Sequence, residues 1–122
     1  MFPSEVKLPG PDHPITIEPH EGRVVVHAGE RVIADSTDAL ALHEAGYPPV
    51  LYLPFDDVDG HALTRSDTTT ECPYKGTASH FSVRTDDAVI DDVAWSYEKP
   101  HDAVAEIRGR VAFYPDRVRI ES

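Results

Sequence analysis

The sequence predicts a mainly β, single-domain protein: a twisted antiparallel sheet or open barrel with one short helix at about residues 38–45. Two observations carry the β assignment. Short alternating or β-branched runs recur along the chain, and glycine- and proline-bearing turns separate them. A length of 122 residues fits one domain with a core of its own. A third observation supplies the helix: only one stretch joins a hydroxyl start signal to a Gly-Pro-Pro stop.

Residues 1–14 carry Pro3, Pro9, Pro11 and Pro14 with Gly10, which predicts an extended or loosely packed N-terminal arm. The domain proper is expected over residues 15–122. Ile15 to His20 alternates, Val24-Val25-Val26 is β-branched, and Arg31 to Ala34 resumes after the turn Ala28-Gly29-Glu30. These three runs predict a β-meander. Ser36-Thr37-Asp38 suits a helix N-terminus, and Gly46 with Pro48-Pro49 would stop the helix.

Val50 to Leu53 then reads as a short strand. Residues 54–60 read as an acidic turn, and Leu63 to Thr70 as a polar connection. Ala78 to Arg84, Val93 to Tyr97, Gly109 to Tyr114 and Arg117 to Ile120 read as strands, the last two separated by the turn pair Pro115-Asp116. One helical turn is expected within Pro100 to Glu106.

Charge and cysteine count narrow the function. The net charge of −11 repels phosphate backbones and anionic headgroups, so neither nucleic acid nor membrane is expected as a partner. Cys72 is the only cysteine; an intrachain disulfide and a four-cysteine zinc site are excluded, and a reducing, cytoplasmic setting is expected. Met1 to Gly10 holds no apolar run, which predicts no secretory leader. The histidines lack His-x-x-x-His spacing, so no metal is expected; no glycine-rich phosphate loop or Gly-x-Ser-x-Gly elbow occurs, and no cofactor is expected.

The densest functional chemistry is Cys72-Pro73-Tyr74-Lys75-Gly76. A soft nucleophile, an aromatic ring and a cation sit in a turn that proline stiffens and glycine frees. Lys75 close to Cys72 would favour a thiolate, although a free cysteine commonly serves as a small buried apolar residue. Cys72 and His80 are the catalytic candidates, with His61 as an alternative partner for the thiol. On a strand, His80 shares a face with Ala78, Ser82 and Arg84 and is expected to point outward or into a pocket. Lys75, Tyr74, Trp95 and Tyr97 are the ligand-binding candidates: Lys75 for an anionic or carbonyl group, the rings for flat apolar contact. Asp56, Asp57 and Asp59 lack calcium-loop spacing and read as a solvated turn, as do Asp86-Asp87 and Asp91-Asp92.

Several stretches together resemble one family. They are Tyr52-Leu53-Pro54 with Asp57-Val58, Thr70 to Ala78, Ala94-Trp95-Ser96-Tyr97 with Pro100, and Ile107 to Tyr114. In this order they resemble the domain of unknown function family number 427, also labelled nucleotidyltransferase family 9. The resemblance implies a β-tent, the architecture of methionine sulfoxide reductase B and small zinc-braced domains. The single cysteine denies this chain their four-cysteine zinc, and no residues supporting the nucleotidyltransferase label are found. The expected function is binding of a small molecule in a pocket between sheets, with an enzymatic role left open. The alternative is a protein- or peptide-interaction module without catalysis.

Overall fold

A computed structural model describes residues 6–86 and 88–122. Ten strands make three antiparallel sheets, and the domain is mainly β with no closed barrel among the described residues. The strands are β1 (Ile15–Pro19), β2 (Val24–Ala28), β3 (Arg31–Ser36), β4 (Leu40–Glu44), β5 (Val50–Tyr52), β6 (Leu63–Cys72), β7 (Gly76–Arg84), β8 (Val89–Ser96), β9 (Val111–Phe113) and β10 (Arg119–Glu121). Their order is β1-β4-β5, β10-β2-β3 and β6-β7-β8-β9. Short 3-10 turns cover Phe55–Asp57 and Asp102–Ile107, the second where a helical turn is expected.

The β2–β3 hairpin forms as its sequence predicts. Val24, Val26 and Ala28 point inward, and Gly29 takes the left-handed conformation the turn needs, at φ 59°. The meander does not include β1. That strand pairs instead with β4, from Ile15 opposite Glu44 to Pro19 opposite Leu40.

The expected helix at residues 38–45 is therefore a strand. The Ser36 hydroxyl does accept the Asp38 amide, at 3.0 Å, but it also donates to Asp57 Oδ2 at 2.7 Å. It closes a local turn and opens no helix. Leu40 to Glu44 also reads at period two. With β1 on one side and β5 on the other, its backbone groups gain partners on both edges, which outweighs the weak preference of a two-turn helix. The strand ends at Glu44, and in the turn after it Ala45 rather than Gly46 adopts positive φ, at 45°. Ser36→Ala is expected to cost about 1–2 kcal/mol, because it removes one acceptor and one donor and leaves Asp57 short of a partner. A urea midpoint unchanged at constant slope would refute this.

Leu63 to Thr70, expected to be a polar connection, lies in the ten-residue edge strand β6. Most of its side chains are exposed, so no inside–outside alternation marks it. Its threonines suit a pleated backbone all the same. Asp91 and Asp92 likewise lie inside β8, not in a turn; Asp87 lies outside the described residues.

Two apolar clusters fill the fold. The larger joins Val24, Val26 and Ile33 to Leu53, Val83, Val93 and Phe113. The smaller holds Leu42, Tyr52, Ala78, Tyr97, Val104 and Ile107, with Trp95 packed against it. No helix among the described residues is long and apolar enough to cross a membrane.

Candidate functional site

Cys72 to Gly76 is the β6–β7 hairpin turn. Cys72 stands opposite Gly76, and Pro73-Tyr74-Lys75 make the loop. The Lys75 amide donates to the Cys72 carbonyl at 3.3 Å. Gly76 sits at φ 115°, and a Cβ added there would stand 3.3 Å from the Lys99 carbonyl oxygen, so the position favours glycine. The His101 amide donates to the Lys75 carbonyl at 2.9 Å and ties the turn to the segment after β8.

The N-terminal arm is not loose where it is described. Residues 1–5 lie outside the described residues. The Lys7 amide donates to the Pro73 carbonyl at 2.9 Å, and the His13 ring stacks on Tyr74 at 3.9 Å and 7°. His13 Nε2 meets Glu44 Oε2 at 2.7 Å, while Lys75 Nζ pairs with Glu44 Oε1. The Lys75 and Glu44 side chains are only 13% and 14% exposed. Burial pushes the Glu44 carboxyl up, but the hydrogen bonds from Lys75 and His13 outweigh it and hold Glu44 below the usual carboxylate range. One ion cluster thus joins the turn, β4 and the arm.

Beside this cluster opens a cavity of about 710 Å³. Its walls are chiefly apolar, with Val26, Leu53, Phe113 and Ile120 on one side and Trp95, Cys72 and Tyr74 completing it. Glu44 and His13 supply its polar end; Tyr47, Pro48 and Pro49, all exposed, line its rim. Trp95 Nε1 donates to the Tyr52 hydroxyl at 3.3 Å. Burial, above all, pushes the Tyr52 phenol up to about 12, so it stays neutral and can accept that bond.

The predicted site residues divide among several places. Cys72, Tyr74 and Trp95 line the cavity. Lys75 does not; its ammonium is held by Glu44. Tyr97 belongs to the smaller core at 6% exposure, where burial pushes its phenol far up. His80 is buried at 3% exposure and lines a different, smaller cleft. Its Nε2 meets Thr70 Oγ1 at 3.0 Å, and no hydrogen bond joins it to Cys72 among the described residues. His61 is exposed, and its amide donates to Asp59 Oδ1. The Asp56-Asp57-Asp59 turn is engaged by protein groups: Asp57 accepts Ser36, and Asp59 accepts Arg31 at 3.0 Å.

Glu44 and His13 escape sequence reasoning. Glu44 falls in the stretch read as helix, and His13 stands in the arm, 31 residues away along the chain. No spacing rule links them. No group of three or more His, Cys, Asp or Glu residues able to hold a metal ion occurs among the described residues.

The family model for a domain of unknown function, DUF427, matches residues 16–122. The chain belongs to the DUF427 family. The matched DUF427 region contains Glu44, Lys75, the cavity's apolar walls and the His80 cleft, whereas His13 lies just outside it. No curated protein matches the chain.

Proposed function

We propose that the DUF427 domain binds a small, mostly apolar molecule in the cavity beneath the β6–β7 turn. The observation that carries this reading is a space of about 710 Å³ with apolar walls and a single ionised end. Ligand sites have this character: apolar area supplies affinity, and a few placed polar groups supply orientation. Trp95 offers a flat face, and Glu44 favours a ligand end that donates a hydrogen bond. Lys75 acts from behind by holding Glu44 ionised and in place, and Tyr97 braces the sheet that carries Trp95. Cys72 lies in the wall as a free thiol, which suits a reducing, cytoplasmic setting.

Trp95 is the chain's only tryptophan, so its emission reads the cavity directly. Titration with 2-naphthol is expected to change that emission, and naphthalene, which lacks the donor, to bind more weakly. Val50→Phe fills the cavity from β5 and is expected to lower 2-naphthol affinity at least tenfold by calorimetry, with the unfolding midpoint little changed. Equal binding by the variant would place the ligand elsewhere.

Tyr47 at the rim is 67% exposed beside Pro48 and Pro49, and this favours a second reading: a protein or peptide partner inserting one apolar side chain. Tyr47→Ser separates the two. It should weaken a partner that covers the rim much more than it weakens 2-naphthol, which is held by the inner walls.

A further inference from the structure

Two bulges converge on the middle of β7. Ser66, Asp67 and Thr68 of β6 stand opposite His80 alone, and Asp91, Asp92 and Val93 of β8 stand opposite Ser82 alone. Bulges re-aim side chains, and here they bring the two flanking strands together over β7. Thr68 Oγ1 donates to Asp92 Oδ2 at 2.8 Å, and the Asp92 amide donates to Ser82 Oγ at 3.1 Å. Asp92 takes φ 49°, a left-handed conformation uncommon outside glycine, which its surroundings must hold.

His80 lies beside this junction, 3% exposed. Its Nε2 is engaged by Thr70, but its Nδ1 is buried with no partner among the described residues. Asp92 Oδ1 is buried as well and has no partner in hydrogen-bond geometry, although the Ser66 hydroxyl lies close enough to help hold the carboxyl ionised. Leaving a buried ring nitrogen and a buried carboxylate oxygen unmatched costs stability, and such groups call for an explanation. They belong to a cleft of about 280 Å³, which Tyr114, Asp116 and Arg117 complete. The Tyr114 ring lies nearly parallel to His80, at 6.1 Å and 16°.

We propose that this cleft is a second binding site, for a small molecule bearing a protonated primary amine. With Nε2–H donating to Thr70, His80 Nδ1 becomes an acceptor in the same cleft as the Asp92 carboxylate, and an ammonium group supplies donors to both. The charge balance agrees: two carboxylates, Asp92 and Asp116, face one cation, Arg117, in a chain of net charge −11. The Tyr114 ring adds a face that attracts a cation. Arg117 lines the same cleft and its charge helps hold Asp92 ionised, but no salt bridge joins it to a carboxylate among the described residues, so a carboxylate on the same ligand would find a partner at the rim. His80 Nδ1 and Asp92 Oδ1 are closed to bulk water, so entry requires movement of β6, which has no outer neighbour in its sheet.

The test uses the ¹⁵N-labelled full chain at pH 7, titrated separately with ethylamine, glycine, acetate and inorganic phosphate. Ethylamine is expected to shift His80 Nδ1 and the Thr68 and Asp92 amides, and to slow hydrogen exchange from Thr68 to Thr70. Asp92→Asn keeps the shape and tolerates the left-handed backbone, so it should fold and bind ethylamine at least tenfold more weakly. Should it fail to fold, Thr68→Val removes the donor that orients Asp92 and is read the same way. Tighter binding of glycine than of ethylamine, lost in Arg117→Gln, would assign the carboxylate to Arg117. Equal affinity would support recognition of the amine alone. Val50→Phe should leave ethylamine binding unchanged, which separates this site from the larger cavity. The proposal is overturned if acetate or phosphate shifts His80 and ethylamine does not, if no probe shifts it, or if Asp92→Asn binds ethylamine like the parent chain.

Discussion

Glu44→Ala is expected to lower the stability of the domain by about 2–3 kcal/mol, because it strands a mostly buried ammonium. Lys75 would lie at 13% side-chain exposure with its carboxylate partner gone. His13 would lose the bond that keeps its ring over Tyr74. Glu44→Gln should cost less, since one amide oxygen still accepts. Lys75→Met added to Glu44→Gln should recover part of the loss, because the double variant leaves no buried charge unmatched. Urea unfolding of the parent chain, Glu44→Gln, Lys75→Met and the double variant gives the coupling directly. A change below about 0.5 kcal/mol in Glu44→Ala would show the cluster to be as weak as an exposed pair.

The same cluster sets an acid response. Glu44 titrates below its ordinary range in the folded protein, so the unfolded chain binds its proton more readily. Its contribution is therefore fully present above the unfolded carboxyl pKa of about 4.3 and fades as pH falls through the lower folded value. Glu98 behaves in the same direction, held at about 2 by hydrogen bonds from Arg65 and Ser79. Its side chain is 49% exposed, so solvent screening leaves it the smaller part. Stability measured from pH 6 down to pH 3 should fall less steeply in Glu44→Gln than in the parent chain. Parallel curves would remove Glu44 from the acid response.

Gly76→Ala is expected to cost about 2 kcal/mol and to loosen the turn that carries Cys72 and Tyr74. At φ 115° a side chain is strained whatever space surrounds it. An added Cβ would also stand 3.3 Å from the Lys99 carbonyl oxygen, a backbone atom with little room to yield. Gly46→Ala is the control: its φ is not positive, and nothing lies within 4 Å of the new Cβ. That substitution should be neutral or slightly stabilising, through loss of freedom in the unfolded chain. Equal effects at the two positions would mean that Gly76 has no special backbone role. Lower 2-naphthol affinity in Gly76→Ala, read under conditions where it is folded, would tie the turn's geometry to the cavity.

The strands legible in the sequence are those whose residue types alternate or are β-branched. Val24-Val25-Val26 announces itself by its β-branched run, and its burial does alternate; Ala78 to Arg84 alternates in sequence, although His80 to Val83 are buried on both faces. β6 does not, because an edge strand of threonines buries little on either face. Leu40 to Glu44 fits both periods, and only its partners choose between them. The candidate site divides the same way. The chemistry-rich turn from Cys72 to Gly76 is visible as a local pattern. The glutamate that neutralises its lysine is not, being 31 residues distant along the chain.

The sequence by itself determined a mainly β domain, a single unbridged thiol, a net charge hostile to polyanions, and a stiff turn holding Cys72, Tyr74 and Lys75. These follow from composition and from interactions between residues a few positions apart. Only the tertiary structure decided that Lys75 is held by Glu44, that Tyr97 is core, and that Cys72 and His80 lie in different cavities. Strand pairing sets those outcomes. A shift or a bulge in one strand changes which distant side chains meet, and no local spacing records it.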